Sequence, residues 1–147
     1  MDNFSGIAIG LSMIGFVLLV VLLVTILYRP AKRLSVKCNF PPESEEKHYS
    51  VLLVTAENIG KRKLKLLIPF VRFSHATSTQ LYKVRPETIN CSFPRSLKVG
   101  EKLICEIDLA HFKVQLEKHA FHPTHVKVIM SDSAGLDFES QSLIFKV

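Results

Sequence analysis

The 147-residue sequence has no tryptophan, only three cysteines and none of the short motifs that mark the common enzyme classes. The patterns GxSxG, HExxH and CxxC, the phosphate loop and the dinucleotide-binding glycine pattern are all missing. The recognisable arrangements of a catalytic nucleophile, a zinc centre or a nucleotide site are therefore excluded. We expect no enzyme activity, no cofactor, no bound metal and no small-molecule substrate. A chain of this length leaves room for one domain with a short appendage.

Charged residues are absent from residues 6–28, a run of 23 residues that follows a short amino-terminal segment, 1–5. As a helix rising ~1.5 Å per residue, this run would cross the ~30 Å hydrocarbon core of a bilayer with some tilt. No Lys or Arg precedes it, whereas a cleavable signal peptide would have basic residues there. The sequence therefore predicts one retained transmembrane α-helix over 6–28.

Basic residues are concentrated behind this run, where 19 Lys and Arg face 12 acidic residues. The first of them form a basic juxtamembrane linker, 29–35, and the start of the domain: Arg29, Lys32, Arg33 and Lys37. Positive flanks are held on the cytoplasmic side, and an odd number of dispersed cysteines suits a reducing compartment. We expect the amino terminus outside and the domain on the cytoplasmic face. The alternative is an extracytoplasmic domain with one disulfide, such as Cys91 with Cys105.

Small residues recur at helical spacing in the first half of the apolar run. Gly6 and Gly10 form a GxxxG pattern, and Ala8 and Ser12 are also four residues apart. Such residues let two membrane helices approach closely, which predicts packing against another membrane subunit or a second copy of the chain. The alternative is that small residues are simply common in membrane helices.

Residues 36–147 alternate in hydrophobicity, with turn signals every 8 to 12 residues, which is typical of short antiparallel strands. We predict an all-β antiparallel sandwich of about seven strands. Residues 49–57 and 63–73 should form a hairpin around the turn at 58–61, and residues 74–80 should be a polar connection. The remaining predicted strands include 34–40, a short one at 88–92, one through Leu103, Cys105, Ile107 and Leu109, one through Val126, Val128 and Met130, and a last one at 137–147. Residues 110–121 are predicted as a short helix or crossover.

Three phrases of this pattern resemble the strand-turn phrases of bacterial immunoglobulin-like and fibronectin-type domains. They are residues 54–60, 97–103 and 128–135, and they occur in the same order and spacing. The resemblance covers about the last 110 residues. It implies a sandwich that binds proteins or acts as a spacer. The missing tryptophan and the lack of a clear inter-sheet cysteine pair set the chain apart from antibody-type domains.

Four basic residues mark the turn of the predicted hairpin: Lys61, Arg62, Lys63 and Lys65. Together with the basic residues at 29–37 they could attract anionic lipid headgroups, at ~1 kcal/mol per residue near the surface. The alternative is a solvated turn. Nucleic acid is not expected as a partner, because no interleaved aromatic residues accompany the charge.

Histidines and cysteines supply no predicted site. His119, His122 and His125 are spaced three apart, but Pro123 interrupts the helix that would bring them together on a metal ion. Cys105 is predicted to be a small buried apolar residue without reactivity. The sequence thus favours a single-pass membrane protein whose domain is an accessory or scaffolding subunit of a larger complex. The alternative is an extracytoplasmic adhesion or envelope-binding module.

Overall fold

A computed structural model describes residues 3–27, 33–42 and 50–145, with the backbone alone described for residues 3–9 and 25. The chain divides into two compact units, Met1–Ala31 and Lys32–Val147. The predicted boundary at residue 28 and most of the predicted linker lie outside the described residues.

The first unit contains helix α1, Asn3–Leu27, which has 25 residues. Leucine and methionine are good helix formers, and neither proline nor any charged residue interrupts the sequence of this helix. Its described side chains are exposed around the whole circumference, including Leu11 at 66% and Phe16 at 68%. No helix in the described part of the chain meets the requirements of length and apolarity for a membrane span.

The second unit is an antiparallel β-sandwich with one short helix. Its described strands are β1 (Leu34–Asn39), β2 (Val51–Asn58), β3 (Leu64–Leu66), β4 (Phe70–His75), β5 (Ser78–Lys83), β6 (Arg95–Leu97), β7 (Lys102–Asp108), β8 (His125–Ser131), β9 (Asp137–Glu139) and β10 (Leu143–Ile144). Helix α2 (Ala110–Lys118) connects β7 to β8. The predicted antiparallel β-sandwich and the predicted short helix are confirmed.

The strands form three sheets. The first sheet has the order β1-β2-β7, and the second has the order β10-β8-β4-β5, with β9 also paired to β8. Strands β3 and β6 form a small third sheet. All these pairings are antiparallel, and an isolated bridge between Leu66 and Asp132 joins β3 to the end of β8.

The core lies between the inner faces of the two larger sheets. Strand β7 alternates as predicted, with Leu103, Cys105 and Ile107 buried and their neighbours exposed. An aromatic cluster fills the region under α2, where the Phe73 ring lies 6.0 Å from Phe112 and 5.3 Å from Phe145, measured between centroids. Burial of such rings contributes most of the apolar area that stabilises a small domain.

The predicted hairpin between residues 49–57 and 63–73 is wrong. Strand β2 pairs with β1 and β7, whereas β3 pairs with β6. The predicted strand 63–73 is broken at Pro69, which has no amide hydrogen for a sheet ladder. Leu66 is buried before the break and Val71 after it, so the alternation shifts by one residue. The segment thereby passes from the small third sheet into the second sheet.

Three other predictions differ from the structure in detail. Residues 74–80, predicted as a connection, contain the hairpin between β4 and β5. The predicted strand at 88–92 contributes one isolated bridge, from Ile89 to Ile107, after a 3-10 turn at Pro86–Thr88. The predicted last strand is divided into β9 and β10 at Ser140, whose hydroxyl accepts a hydrogen bond from the amide of Val128.

Candidate interaction surfaces

The residues predicted to pack helices lie on α1. Gly10 and Ser12 are exposed, and a Cβ atom added at Gly10 or Gly15 would meet no described atom within 4 Å. For Gly6 and Ala8, the other two predicted packing residues, only the backbone is described. The prediction of helix packing therefore remains a prediction.

Among the basic residues predicted for lipid contact, Arg33 and residues 61–63 lie at one end of the sandwich, whereas Lys37 lies within β1 opposite Thr55 of β2. Arg29 and Lys32 lie outside the described residues, whereas six others are exposed: Arg33, Lys37, Lys61, Arg62, Lys63 and Lys65. The carbonyl oxygen of Arg33 accepts hydrogen bonds from the amides of Ile59 and Gly60, both at 3.1 Å. The start of the second unit is thus joined to the loop that follows β2.

Asn58 organises this end of the sandwich. Its side chain is fully buried, and its amide nitrogen donates to the carbonyl oxygens of Arg62 at 2.9 Å and Leu97 at 3.0 Å. Its side-chain oxygen accepts the amide of Gly60 at 3.0 Å. Each of these partners belongs to a loop or its flank, so Asn58 holds the loop after β2 against the segment that follows β6.

Three loops meet at this end, which we call the loop end: residues 59–63, 98–101 and 132–136. The amide of Gly100 donates to the carbonyl oxygen of Asn58 at 2.9 Å, and the amide of Ser133 donates to the carbonyl oxygen of Lys65, also at 2.9 Å. Gly100 has φ +77°, a conformation that side-chain-bearing residues rarely adopt. The loop end is therefore one connected surface.

The cysteines have the arrangement of the alternative prediction and not of the favoured one. Cys91 and Cys105 form a disulfide, with 5.7 Å between their Cα atoms, and Cys38 is free and buried. The prediction of Cys105 as an unbonded apolar residue is wrong, because the segment before β6 returns along the edge of β7. The odd number of dispersed cysteines was one of the two arguments for a cytoplasmic domain. That argument no longer holds, because two of the cysteines form a disulfide and disulfides persist in oxidising compartments.

Burial is the main cause of the shifted pKa values outside α1. Burial raises the pKa of the Cys38 thiol, and its contact with the Ser140 hydroxyl at 3.0 Å opposes this shift. Burial also raises the pKa of Tyr82 and lowers that of Lys113, whose ammonium lies 5.9 Å from the centre of the Phe145 ring. These shifts reflect packing rather than a pair of interacting acids and bases.

An apolar groove of about 640 Å³ opens beside the end of β5. Its lining includes Leu67, Ile68, Val84, Pro86, Phe93 and Pro94, and Lys83 and Arg85 contribute charge. Strand β5 is the last strand of its sheet, so one side of its backbone faces no other described strand. Leu81, which is 55% exposed, lies on this strand. An open strand edge thus runs directly into an apolar groove.

Neither the histidines nor the acidic residues form a metal site in the part of the chain that the structure describes. His119, His122 and His125 are exposed, and the Nδ1 atom of His125 lies 2.9 Å from the Thr124 hydroxyl. The Glu139 carboxylate pairs with Arg72 at 2.8 Å and with Lys127 at 3.4 Å on the outer face of the second sheet.

Sequence reasoning missed the groove, the edge strand β5 and the structural role of Asn58. The sequence signal for the loop was present, because Asn58 and Gly60 are turn residues. The groove had no comparable signal, since its lining comes from three separate segments: residues 67–68, 83–86 and 93–94.

Comparison with known proteins identifies no family. No family model matches the chain, and no curated protein matches it. Among solved structures it is similar to a chain of the archaellum periplasmic stator protein complex FlaF and FlaG from Sulfolobus acidocaldarius, with 13% identity and a TM-score of 0.48. The similarity covers 80% of this chain and 91% of that one.

Proposed function

We propose that this chain is a single-pass membrane protein that serves as an accessory or scaffolding subunit of a larger membrane protein complex. In this proposal α1 crosses the bilayer, and the sandwich acts by binding a protein rather than by catalysing a reaction. The observation that carries the proposal is an apolar helix joined in one chain to a sandwich with an open strand edge beside an apolar groove.

The sequence of α1 supports the membrane part of the proposal. Residues 6–28 have no charged side chain, and about 20 such residues suffice to cross a bilayer. The described side chains of α1 are exposed on all sides, including the large ones of Leu18 and Leu22. A helix without a polar face is unfavourable in water, and lipid would cover it.

The edge of β5 supports the protein-binding part of the proposal. A partner strand can add to an open sheet edge through main-chain hydrogen bonds, while an adjacent pocket receives its side chains. The groove beside Lys83 and Val84 lies where such a strand would continue. Natural edge strands are often blocked by charge, but β5 has a single charged residue, Lys83, at its end.

We place the sandwich on the extracytoplasmic side of the membrane. The disulfide between Cys91 and Cys105 supports this side, because the cytosol keeps thiols reduced. The basic residues after α1 favour the opposite side, but the rule that relates such residues to the cytoplasm has exceptions. The disulfide also favours a second candidate function on the same side, namely an adhesion or envelope-binding module.

Substitution at Gly10 tests the proposed role in a membrane complex. We expect Gly10→Leu to reduce the cross-linked complex recovered from native membranes about tenfold, a loss of ~1.4 kcal/mol, because the added side chain prevents the close approach that small residues allow. The matched comparison is Gly15→Leu, which adds the same side chain about 140° around the helix, on the side of Ala8 and Ser12, and so distinguishes the Gly6 and Gly10 face from the opposite one. Added Cβ atoms at both positions meet open space. The measurement is the amount of cross-linked complex after solubilisation in mild detergent.

Equal recovery of the complex from the wild type and Gly10→Leu would reject α1 as the contact with a partner in the membrane. If both proteins were instead cross-linked to the same cell-envelope component, the adhesion module would replace the scaffolding role.

A further inference from the structure

We propose that the loop end is a docking surface for the anionic phospholipids of the bilayer that holds α1. This inference rests on the proposed membrane anchor and specifies which part of the sandwich faces the lipid. Three exposed aliphatic side chains would enter the headgroup region, and the basic side chains around them would contact lipid phosphates.

Each of the three loops carries one exposed aliphatic side chain. These are Ile59, Val99 and Leu136, with exposed fractions of 48%, 56% and 41%. Exposed apolar residues that stand singly need no explanation, but these three lie on loops that are hydrogen-bonded to one another or to their flanking strands. The sandwich therefore presents them together at one end.

The charge of the loop end is predominantly basic. Exposed side chains on or beside the loops include Arg33, Lys61, Arg62, Lys63, Lys65 and Lys98. The nearby acidic side chains have partners within the protein. The Glu101 carboxylate accepts the amide of Lys98 at 2.8 Å, and Asp132 is buried and accepts the amide of Leu136 at 2.9 Å. An apolar tip inside a basic rim matches an anionic membrane surface.

Among the described residues, Glu57 and Asp137 are the other acidic side chains at this end. Glu57 lies 3.9 Å from the ammonium of Lys102, and Asp137 accepts a hydrogen bond from the hydroxyl of Ser131. Both are therefore engaged on the flanking strands. These carboxylates keep their negative charge, but the six exposed basic side chains on or beside the loops outnumber the four acidic side chains.

Covalent connection gives a second reason to assign lipid as the occupant. Arg33, whose carbonyl oxygen binds the loop after β2, follows the last residue of α1, Leu27, by six positions. Six extended residues reach at most ~20 Å. The basic residues of the loop end thus include one, Arg33, that follows the proposed membrane anchor closely in sequence.

Lipid docking also accounts for the conflict between the two indicators of topology. The electrostatic attraction between basic residues and anionic headgroups acts in any leaflet that contains anionic lipid. A basic end that binds lipid is therefore compatible with the extracytoplasmic side that the disulfide favours. The charge asymmetry then reflects binding to the membrane surface rather than orientation.

An environment-sensitive fluorophore on the full chain tests the docking. The chain would be reconstituted into nanodiscs of phosphatidylcholine alone or of equal parts phosphatidylcholine and phosphatidylglycerol. The label is placed at Val99→Cys, with Thr77→Cys as the control, since native Cys38 is buried and the other two cysteines are bonded. Residues 76–77 connect β4 to β5. The nearby Ser74 pairs with His125, the first residue of β8, whereas loop 132–136 follows the last residue of β8. Position 77 is therefore remote from the loop end.

We expect the label at position 99 to shift its emission to shorter wavelength in the anionic discs. Its quenching by neutral acrylamide should fall several-fold, while the label at position 77 stays accessible. Replacing Lys61, Arg62, Lys63 and Lys98 by Gln should remove the dependence on anionic lipid, because the attraction comes from these charges.

Two results would overturn the docking and can be told apart from failure of the anchor. If the chain integrates into the discs and quenching at position 99 equals that at position 77, the loop end does not bind lipid. If the four Gln substitutions leave the protection at position 99 unchanged in anionic discs, the basic rim has no role. A chain that fails to integrate into discs of either composition rejects the membrane anchor itself.

Discussion

Asn58 shows how one buried polar residue determines the geometry of a surface. Its side chain satisfies two carbonyl oxygens and one amide, and among the described residues no buried side-chain polar atom lacks a hydrogen-bond partner. We expect Asn58→Ala to lower the free energy of unfolding by about 3 kcal/mol, because it leaves these backbone groups buried and unpaired. The measurement is denaturant unfolding of the full chain in detergent.

The matched control is Asn39→Ala, an exposed asparagine in β1, which should change the free energy of unfolding by less than about 0.5 kcal/mol. A loss of stability at position 58 no larger than that at position 39 would show that water replaces the lost hydrogen bonds. The variant should also weaken the lipid dependence at the loop end, since Asn58 joins two of its three loops.

At the scale of elements, a substitution on the open edge of β5 tests the proposed protein binding more directly than a substitution in the groove. Leu81 is exposed on β5, and a lysine at an edge strand opposes the addition of a further strand. We expect Leu81→Lys to reduce the recovery of the protein partner about tenfold, since burial of one aliphatic side chain is worth ~1.5 kcal/mol. The measurement is the yield of cross-linked partner from native membranes.

Ile104→Lys is the control for this experiment, because Ile104 is 59% exposed on β7, in the other large sheet. It should leave the yield of partner unchanged, and neither variant should alter the folding of the sandwich. A partner lost equally in both variants, or in neither, would mean that the edge of β5 is not the binding site.

The strands that sequence reasoning predicted correctly are those whose pattern reports burial on one face. Strand β7 has a buried face and an exposed face, so its alternation is visible in the sequence. Strand β5 was missed because it lies at an edge and its residues are only partly buried. The break at Pro69 had a local signal, the missing amide hydrogen, which the prediction overlooked. The pairing of β3 with β6 depends on contacts between distant residues, which local patterns do not encode.

The same reasoning explains which part of the loop end could be predicted. The basic turn at 61–65 is contiguous in sequence, so its charge was recognised. Val99 and Leu136 lie far from this turn in sequence, and only the pairing of β7 with β2 and of β3 with the end of β8 brings their loops to the same end. A surface assembled in this way requires the topology of the sandwich.

At the scale of the whole molecule, the side of the membrane on which the sandwich lies determines whether the disulfide forms. The number of free thiols in the chain therefore tests that side. If the sandwich is extracytoplasmic, chains from cells lysed directly into denaturant without reductant should have one thiol that reacts with an alkylating reagent, that of Cys38, whereas three should react after reduction. The folded chain should react very slowly at neutral pH, because Cys38 is buried and its pKa is raised.

The raised pKa also fixes the direction of a pH effect. Because the unfolded state loses the Cys38 proton first, the stability that the neutral thiol contributes is present below the unfolded pKa of about 9 and is lost as pH rises toward the folded value. Cys38→Ser should remove that alkaline component.

Protease added outside intact cells should digest the sandwich. Three thiols without reduction, together with complete protection from external protease, would instead place the sandwich in the cytoplasm and leave the basic residues after α1 as topology signals.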